Sequence, residues 1–152
     1  MALSVGSQAP QFSLASTSDL QFSLKNYLGK PLVLFFYPKD FTRGCTLEAC
    51  EFRDQFAEFR DLEVPVFGIS RDDISTHEKF KKAHKLPFDL LSDLDGKVCK
   101  EFDALVPVLK IPKRVTYLLD ENHQIAEVFE GLFENKAHVS AMIKKLQQVN
   151  PK

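Results

Sequence analysis

The feature that most restricts the fold is the run Pro31-Leu-Val-Leu-Phe-Phe-Tyr37, apolar on both faces and stopped by Pro38. A strand of this kind must be covered on both sides, the condition of a parallel strand in the middle of an α/β sheet. The residues after it fit that demand. From about Cys45 to Arg60 the positions Cys45, Ala49, Phe52, Phe56 and Phe59 advance by four, three, four and three, so they share one face of a helix that packs on the sheet. Val64-Pro-Val-Phe-Gly-Ile-Ser70 then supplies a second buried strand, completing a βαβ unit.

The remaining segments extend this core. Phe12-Ser-Leu and Phe22-Ser-Leu alternate apolar and polar residues across the polar connection Ala15 to Gln21, which predicts an N-terminal hairpin. A polar helix is expected near Ile74 to His84, a short strand around Phe88 to Leu91, and a short helix near Gly96 to Asp103. Val115 to Leu119 and Gln124 to Phe129, joined by the turn Asp120-Glu-Asn-His, read as an antiparallel hairpin. Glu134-Asn135 introduce a last helix with Val139, Met142, Ile143, Leu146 and Val149 at helical spacing. The sum is an α/β chain with a mixed central sheet flanked by helices, βαβ first and ββα last, which resembles the thioredoxin-like arrangement. At 152 residues and 44% apolar content the chain can bury one continuous core, and no linker divides it, so residues 1–152 are expected to form one domain.

Charge narrows the partners. With 20 basic against 21 acidic residues and no long run of either sign, nucleic acid is not an expected partner. The longest apolar run, Leu32 to Tyr37, is far shorter than the roughly 20 residues of a membrane span. The first ten residues carry neither a secretory nor an Arg-rich transit pattern, so a cytoplasmic location is the default expectation. Under that expectation three cysteines are a poor structural staple, and a chemical role is the better use for them.

Between the strand and the helix runs Tyr37-Pro-Lys-Asp-Phe-Thr42-Arg-Gly-Cys45-Thr-Leu-Glu-Ala-Cys50-Glu-Phe-Arg-Asp54. Cys45 thus falls at the carboxyl end of a central strand, in the first turn of the helix, where unpaired N–H groups and the helix dipole favour an anion. Such an environment lowers a thiol's pKa, and Cys45 is expected to be a thiolate at neutral pH. Thr42 lies in the same tight loop with a hydroxyl suited to orienting the sulfur or an oxygen substrate. Cys50, five residues on, is turned about 140° from Cys45 and displaced about 7.5 Å along the axis. In an intact helix the two Cα atoms lie roughly 8.7 Å apart, beyond the ~7 Å limit for a disulfide without backbone movement. If the pair closes, the first turns must unwind.

Pro38, Thr42 and Cys45 stand at the spacing of the peroxiredoxin signature, and with Cys50 and the run Leu47-Glu-Ala-Cys-Glu-Phe-Arg53 the segment resembles the PrxQ, or bacterioferritin comigratory protein, branch of that family. The resemblance runs from Gly6-Ser-Gln-Ala-Pro-Gln-Phe12 through Gly68-Ile-Ser70 and Leu91-Ser-Asp93 to Arg114-Val-Thr-Tyr-Leu-Leu-Asp120. It implies that Cys45 is the peroxidatic cysteine, Cys50 the resolving cysteine, Thr42 the hydrogen-bonding threonine and Arg114 the active-site arginine. Pro38 would shield the loop, Gly44 belongs to the same motif, and Glu48 matches a position that helps hold the arginine. One departure is Arg43, where relatives usually have proline. A looser loop with a second cation beside the sulfur is expected, giving an active enzyme with altered substrate approach or rate.

The implied chemistry is reduction of hydrogen peroxide or organic hydroperoxides through a sulfenic acid at Cys45, capture of that acid by Cys50 as an intramolecular disulfide, and reduction by thioredoxin or a similar dithiol. No cofactor is required. His77, His84, His123 and His138 are not spaced with the cysteines as metal ligands, and no glycine loop for phosphate is present. Cys99 reads as a semi-buried packing residue. The family implies a monomer or weak homodimer. Two alternatives stand: a thiol–disulfide oxidoreductase, whose usual cysteine pair is separated by two residues, and a redox-controlled binding or chaperone module.

Overall fold

The computed structural model describes residues 2–130 and 136–149, without the side chains of residues 48, 136–140 and 148–149. Its strands are β1 (Ser13–Ser16), β2 (Phe22–Ser23), β3 (Leu32–Phe36), β4 (Val66–Ser70), β5 (Asp89–Ser92), β6 (Val115–Leu119) and β7 (Ile125–Glu130). Its α-helices are α1 (Arg43–Asp54), α2 (Phe56–Asp61), α3 (Ile74–His84), α4 (Lys97–Glu101) and α5 (Lys136–Val149). The seven strands form one sheet in the order β2-β1-β5-β4-β3-β6-β7. β3, β4 and β5 are parallel, and β6 and β7 continue the sheet antiparallel to β3.

β3 sits at the centre, as its two apolar faces require. Val33, Phe35 and Tyr37 join an apolar cluster with Cys45, Ala49, Phe52, Phe59 and Phe80, covered by α1, α2, α3 and α5. Leu32, Leu34 and Phe36 face a second cluster, on the other side of the sheet, with Phe12, Phe22, Val98, Cys99 and Phe102. Phe35 stacks on Phe52 with ring centroids 4.7 Å apart, fixing α1 to the sheet. Burying each such ring is worth roughly 1.5–3 kcal/mol. Gly68 in β4 makes room for this layer, since a Cβ there would lie 2.7 Å from Phe35 Cζ and 2.8 Å from Leu90 Cδ2.

The N-terminal hairpin forms, with Ser13 opposite Ser23, and β1 also pairs with β5, so the hairpin extends the main sheet. The expected single helix from Cys45 to Arg60 is instead two, because Gln55 at ψ 14° leaves helical geometry and interrupts the ladder. The packed face nevertheless continues across the break, with Phe56 partly buried and Phe59 fully so. In α5, Met142, Ile143 and Leu146 are buried as the spacing predicts. Glu134, Asn135 and the side chains of Val139 and Val149 lie outside the described residues. Among the described residues no helix is long and apolar enough to cross a membrane.

Candidate active site

The carboxyl end of β3 opens directly into the loop 37–42 and then α1. Because β6 runs antiparallel to β3 with Val115 opposite Phe36, its amino end reaches the same edge, and Arg114 immediately precedes it. Cys45, Thr42 and Arg114, separated by up to 72 positions in the chain, are therefore carried by elements that meet at one edge of the sheet. Arg114 is half-buried, and its Nη1 is fully buried with no hydrogen-bond partner among the described residues. A guanidinium nitrogen in that condition has lost water without gaining an acceptor, which is costly unless an anion or oxygen comes to it.

Thr42 occupies the cap position of α1 in extended geometry but its side chain does not cap the helix. Its hydroxyl donates to the Lys39 carbonyl at 2.8 Å instead. Among the described residues the first-turn N–H groups are left without a side-chain acceptor, and the lone pairs of Thr42 Oγ1 are left to accept. Cys45 is a free thiol in this turn, 1% exposed and part of the apolar cluster on the α1 face. Pro38 is half-buried, and Arg43 is exposed at the first position of α1. A groove of about 260 Å³ runs beside the loop, lined by Pro38, Lys39, Asp72, Leu109 and Ile111 among others.

Cys50 lies on a different flank of the same intact helix and is not bonded to Cys45. It is half-buried, with its sulfur 4.0 Å from Nδ1 of His84 at the end of α3. Burial pushes its thiol pKa up, and Asp54 and Glu51 add to this while Arg53 opposes it. Arg53 also ties α1 to α3, its Nη1 donating to the His84 carbonyl at 2.8 Å. Cys99 is fully buried, more so than expected, and lies in the cluster on the opposite face of the sheet from Cys45. Burial, then the neighbouring Asp93, holds its thiol far above the ordinary range.

Sequence reasoning missed one part of this region, a buried polar network under the loop. The Tyr37 hydroxyl donates to Asp40 Oδ1 at 2.6 Å, and Asp40 Oδ2 lies 2.6 Å from His77 Nδ1. His77 Nε2 is 3.0 Å from the Leu91 carbonyl and must donate there, since a carbonyl only accepts. Burial and the adjacent Asp40 raise the Tyr37 pKa well above its usual value, which keeps that hydroxyl a donor. Asp40, Asp72 and His77 bring three possible ligand atoms within 4.8 Å of one another, and the contacts that join them are these hydrogen bonds and the Asp40–Asp72 one. The available signal was His77 on the apolar face of α3, three residues before Phe80.

Comparison with known proteins agrees with this fold. Residues 5–128 match the AhpC/TSA family. The chloroplastic peroxiredoxin Q of Oryza sativa subsp. japonica is 40% identical over 148 residues, covering 97% of this chain and 68% of its own. That of Sedum lineare is 40% identical over 145 residues, covering 95% and 78%. Among solved structures, the Mycobacterium tuberculosis peroxidoxin BcpB superposes with a TM-score of 0.87 at 32% identity over 95% of this chain and 97% of its own. A cysteine-to-serine mutant of Xylella fastidiosa PrxQ also reaches 0.87, at 28% identity over 97% and 98%.

Proposed function

The chain belongs to the AhpC/TSA family, in its peroxiredoxin Q branch, and is a thiol peroxidase; on that premise we propose that Cys45 attacks the peroxide and Cys50 resolves the product. The observation that carries this reading is the buried Nη1 of Arg114, without a partner among the described residues, at the sheet edge where Cys45 sits in the first turn of α1. The Cys45 thiolate attacks one oxygen of the hydroperoxide, the O–O bond breaks, and the leaving oxygen takes a proton to become water or an alcohol. Cys45 is left as a sulfenic acid. Arg114 and the uncapped N–H groups of α1 stabilise the anion before and during the step, while Thr42 Oγ1 accepts the hydroperoxide O–H. The 1% exposure of Cys45 means that the loop must shift to admit substrate. The apolar residues Leu109 and Ile111 beside Pro38 favour acceptance of organic hydroperoxides as well as hydrogen peroxide.

In the second step the Cys50 sulfur displaces hydroxide from the sulfenic acid, forming the disulfide and releasing water. The intact α1 keeps the two cysteines roughly 8.7 Å apart at Cα, so the helix unwinds and the Cys50–His84 and Arg53–His84 contacts break. The small ring that results is strained and is reduced by a thioredoxin-type dithiol. Neither step calls on a metal or an organic cofactor.

Coupled to thioredoxin, thioredoxin reductase and NADPH, the protein is expected to consume hydrogen peroxide and an organic hydroperoxide catalytically; in a separate assay with dithiothreitol and no thioredoxin, it is expected not to accelerate insulin reduction. Peroxide-independent insulin reduction would assign it instead to the thiol–disulfide oxidoreductases. Negligible peroxide turnover with oxidation-dependent partner binding would mark a binding module.

A further inference from the structure

We propose that Asp72, backed by Ser70 and by the Asp40–His77 pair, is a positioning residue for the peroxide step, aiming the Thr42 hydroxyl through the Lys39–Asp40 peptide group. The inference rests on the role of Thr42 set out above. The carbonyl that receives the Thr42 hydroxyl and the N–H of Asp40 belong to a single planar peptide unit, so whatever holds one orients the other. That N–H donates to Asp72 Oδ2 at 2.9 Å. The same Oδ2 receives the Ser70 hydroxyl at 2.6 Å, and the Asp72 N–H returns to Ser70 Oγ at 3.2 Å. Ser70 is the last residue of β4 and fully buried, so the chain of contacts starts from the rigid sheet.

The other side of the peptide is held equally. The Asp40 side chain is clamped by Tyr37 from β3's end and by His77 from α3, and His77 is in turn fixed on the Leu91 carbonyl of β5. Three neighbouring strand ends thus converge on one peptide plane. The next residue, Phe41, sits at φ 65°, a left-handed conformation unfavourable for a non-glycine residue. Its ring packs edge-on against Phe80 at 5.1 Å. The loop holds this unfavourable geometry because the contacts on both sides over-determine it, and the geometry directs the Thr42 Oγ1–H to Lys39, leaving its lone pairs for the substrate. Freeing the peptide would let the hydroxyl turn and offer its proton where an acceptor is needed.

The test is a double-mutant cycle between Asp72→Ala and Thr42→Val, read as the second-order rate constant for oxidation of Cys45 by hydrogen peroxide. The chain has no tryptophan, so quenched-flow mass spectrometry follows the oxidation. Asp72→Ala is expected to slow oxidation about tenfold with Thr42 present and to cause no further slowing in the Thr42→Val protein. Ser70→Ala, a gentler change to the same chain of contacts, is expected to show the same coupling at smaller amplitude, and serves if Asp72→Ala does not fold. Independent, multiplicative losses, or no loss from either variant, would overturn the inference while leaving the role of Thr42 standing. An unchanged rate in Thr42→Val alone would remove the premise and the inference with it.

Discussion

Serine in place of Cys45 is expected to lower catalytic peroxide consumption by on the order of 10⁴-fold or more, to the background of the remaining thiols. The substitution exchanges sulfur for oxygen at a residue that is 1% exposed and packed in the first turn of α1, so the fold has little reason to change. What disappears is the nucleophile, because a serine hydroxyl is not ionised by a helix N-terminus and one guanidinium. Cys50 is a poorer nucleophile, since burial raises its thiol pKa, with Arg53 opposing and Asp54 and Glu51 adding to the shift. Cys99 cannot substitute, being fully buried in the cluster on the other face of the sheet. Initial rates in the thioredoxin-coupled assay, with urea unfolding as the control for stability, check this. Activity within tenfold of the parent would place the chemistry on another residue.

Replacing Arg114 with methionine is expected to slow Cys45 oxidation by about 10²- to 10³-fold, the usual cost of removing one preorganised donor to a developing anion. Methionine retains much of the apolar stem, so the packing beside β6 is largely preserved. Among the described residues the buried Nη1 has no hydrogen bond to lose, which favours reading a rate loss as a contact made to thiolate or peroxide. Quenched-flow rates, compared with alkylation of the same thiol by a neutral reagent, separate the two contributions: a slowed alkylation assigns the effect to the thiolate, a slowed oxidation alone to the peroxide oxygens. Unchanged oxidation would make Arg114 a structural residue.

Much of this was legible from residue order because each signal was local. The doubly apolar run before Pro38 identified the central strand, and the spacing of Cys45, Ala49, Phe52 and Phe59 identified the face of α1 and α2 that packs on it. Asp73 accepting from the Thr76 N–H gives α3 the start that its sequence predicts. The break at Gln55 was not legible, since nothing in that stretch disfavours helix and the interruption is a matter of backbone geometry. The network under the loop was hidden for a different reason. Asp40 and His77 are 37 residues apart, and only the parallel pairing of β3, β4 and β5 brings the ends of those strands together over α3. Arg114 is similar: its side chain reads as an ordinary surface cation until the antiparallel register of β6 on β3 carries it to the edge where α1 begins. Glu48, which the family resemblance pairs with that arginine, lies outside the described side chains.

The most direct test of the account is to treat the reduced protein with one equivalent of peroxide, block the remaining thiols, and cleave after glutamate, because Glu48 falls between the two cysteines. The account predicts that the fragments carrying Cys45 and Cys50 remain joined by a disulfide within a single chain, with Cys99 recovered as a blocked thiol. A bridge from Cys45 to Cys99, a bridge between two chains, or a Cys45 recovered unoxidised would contradict it.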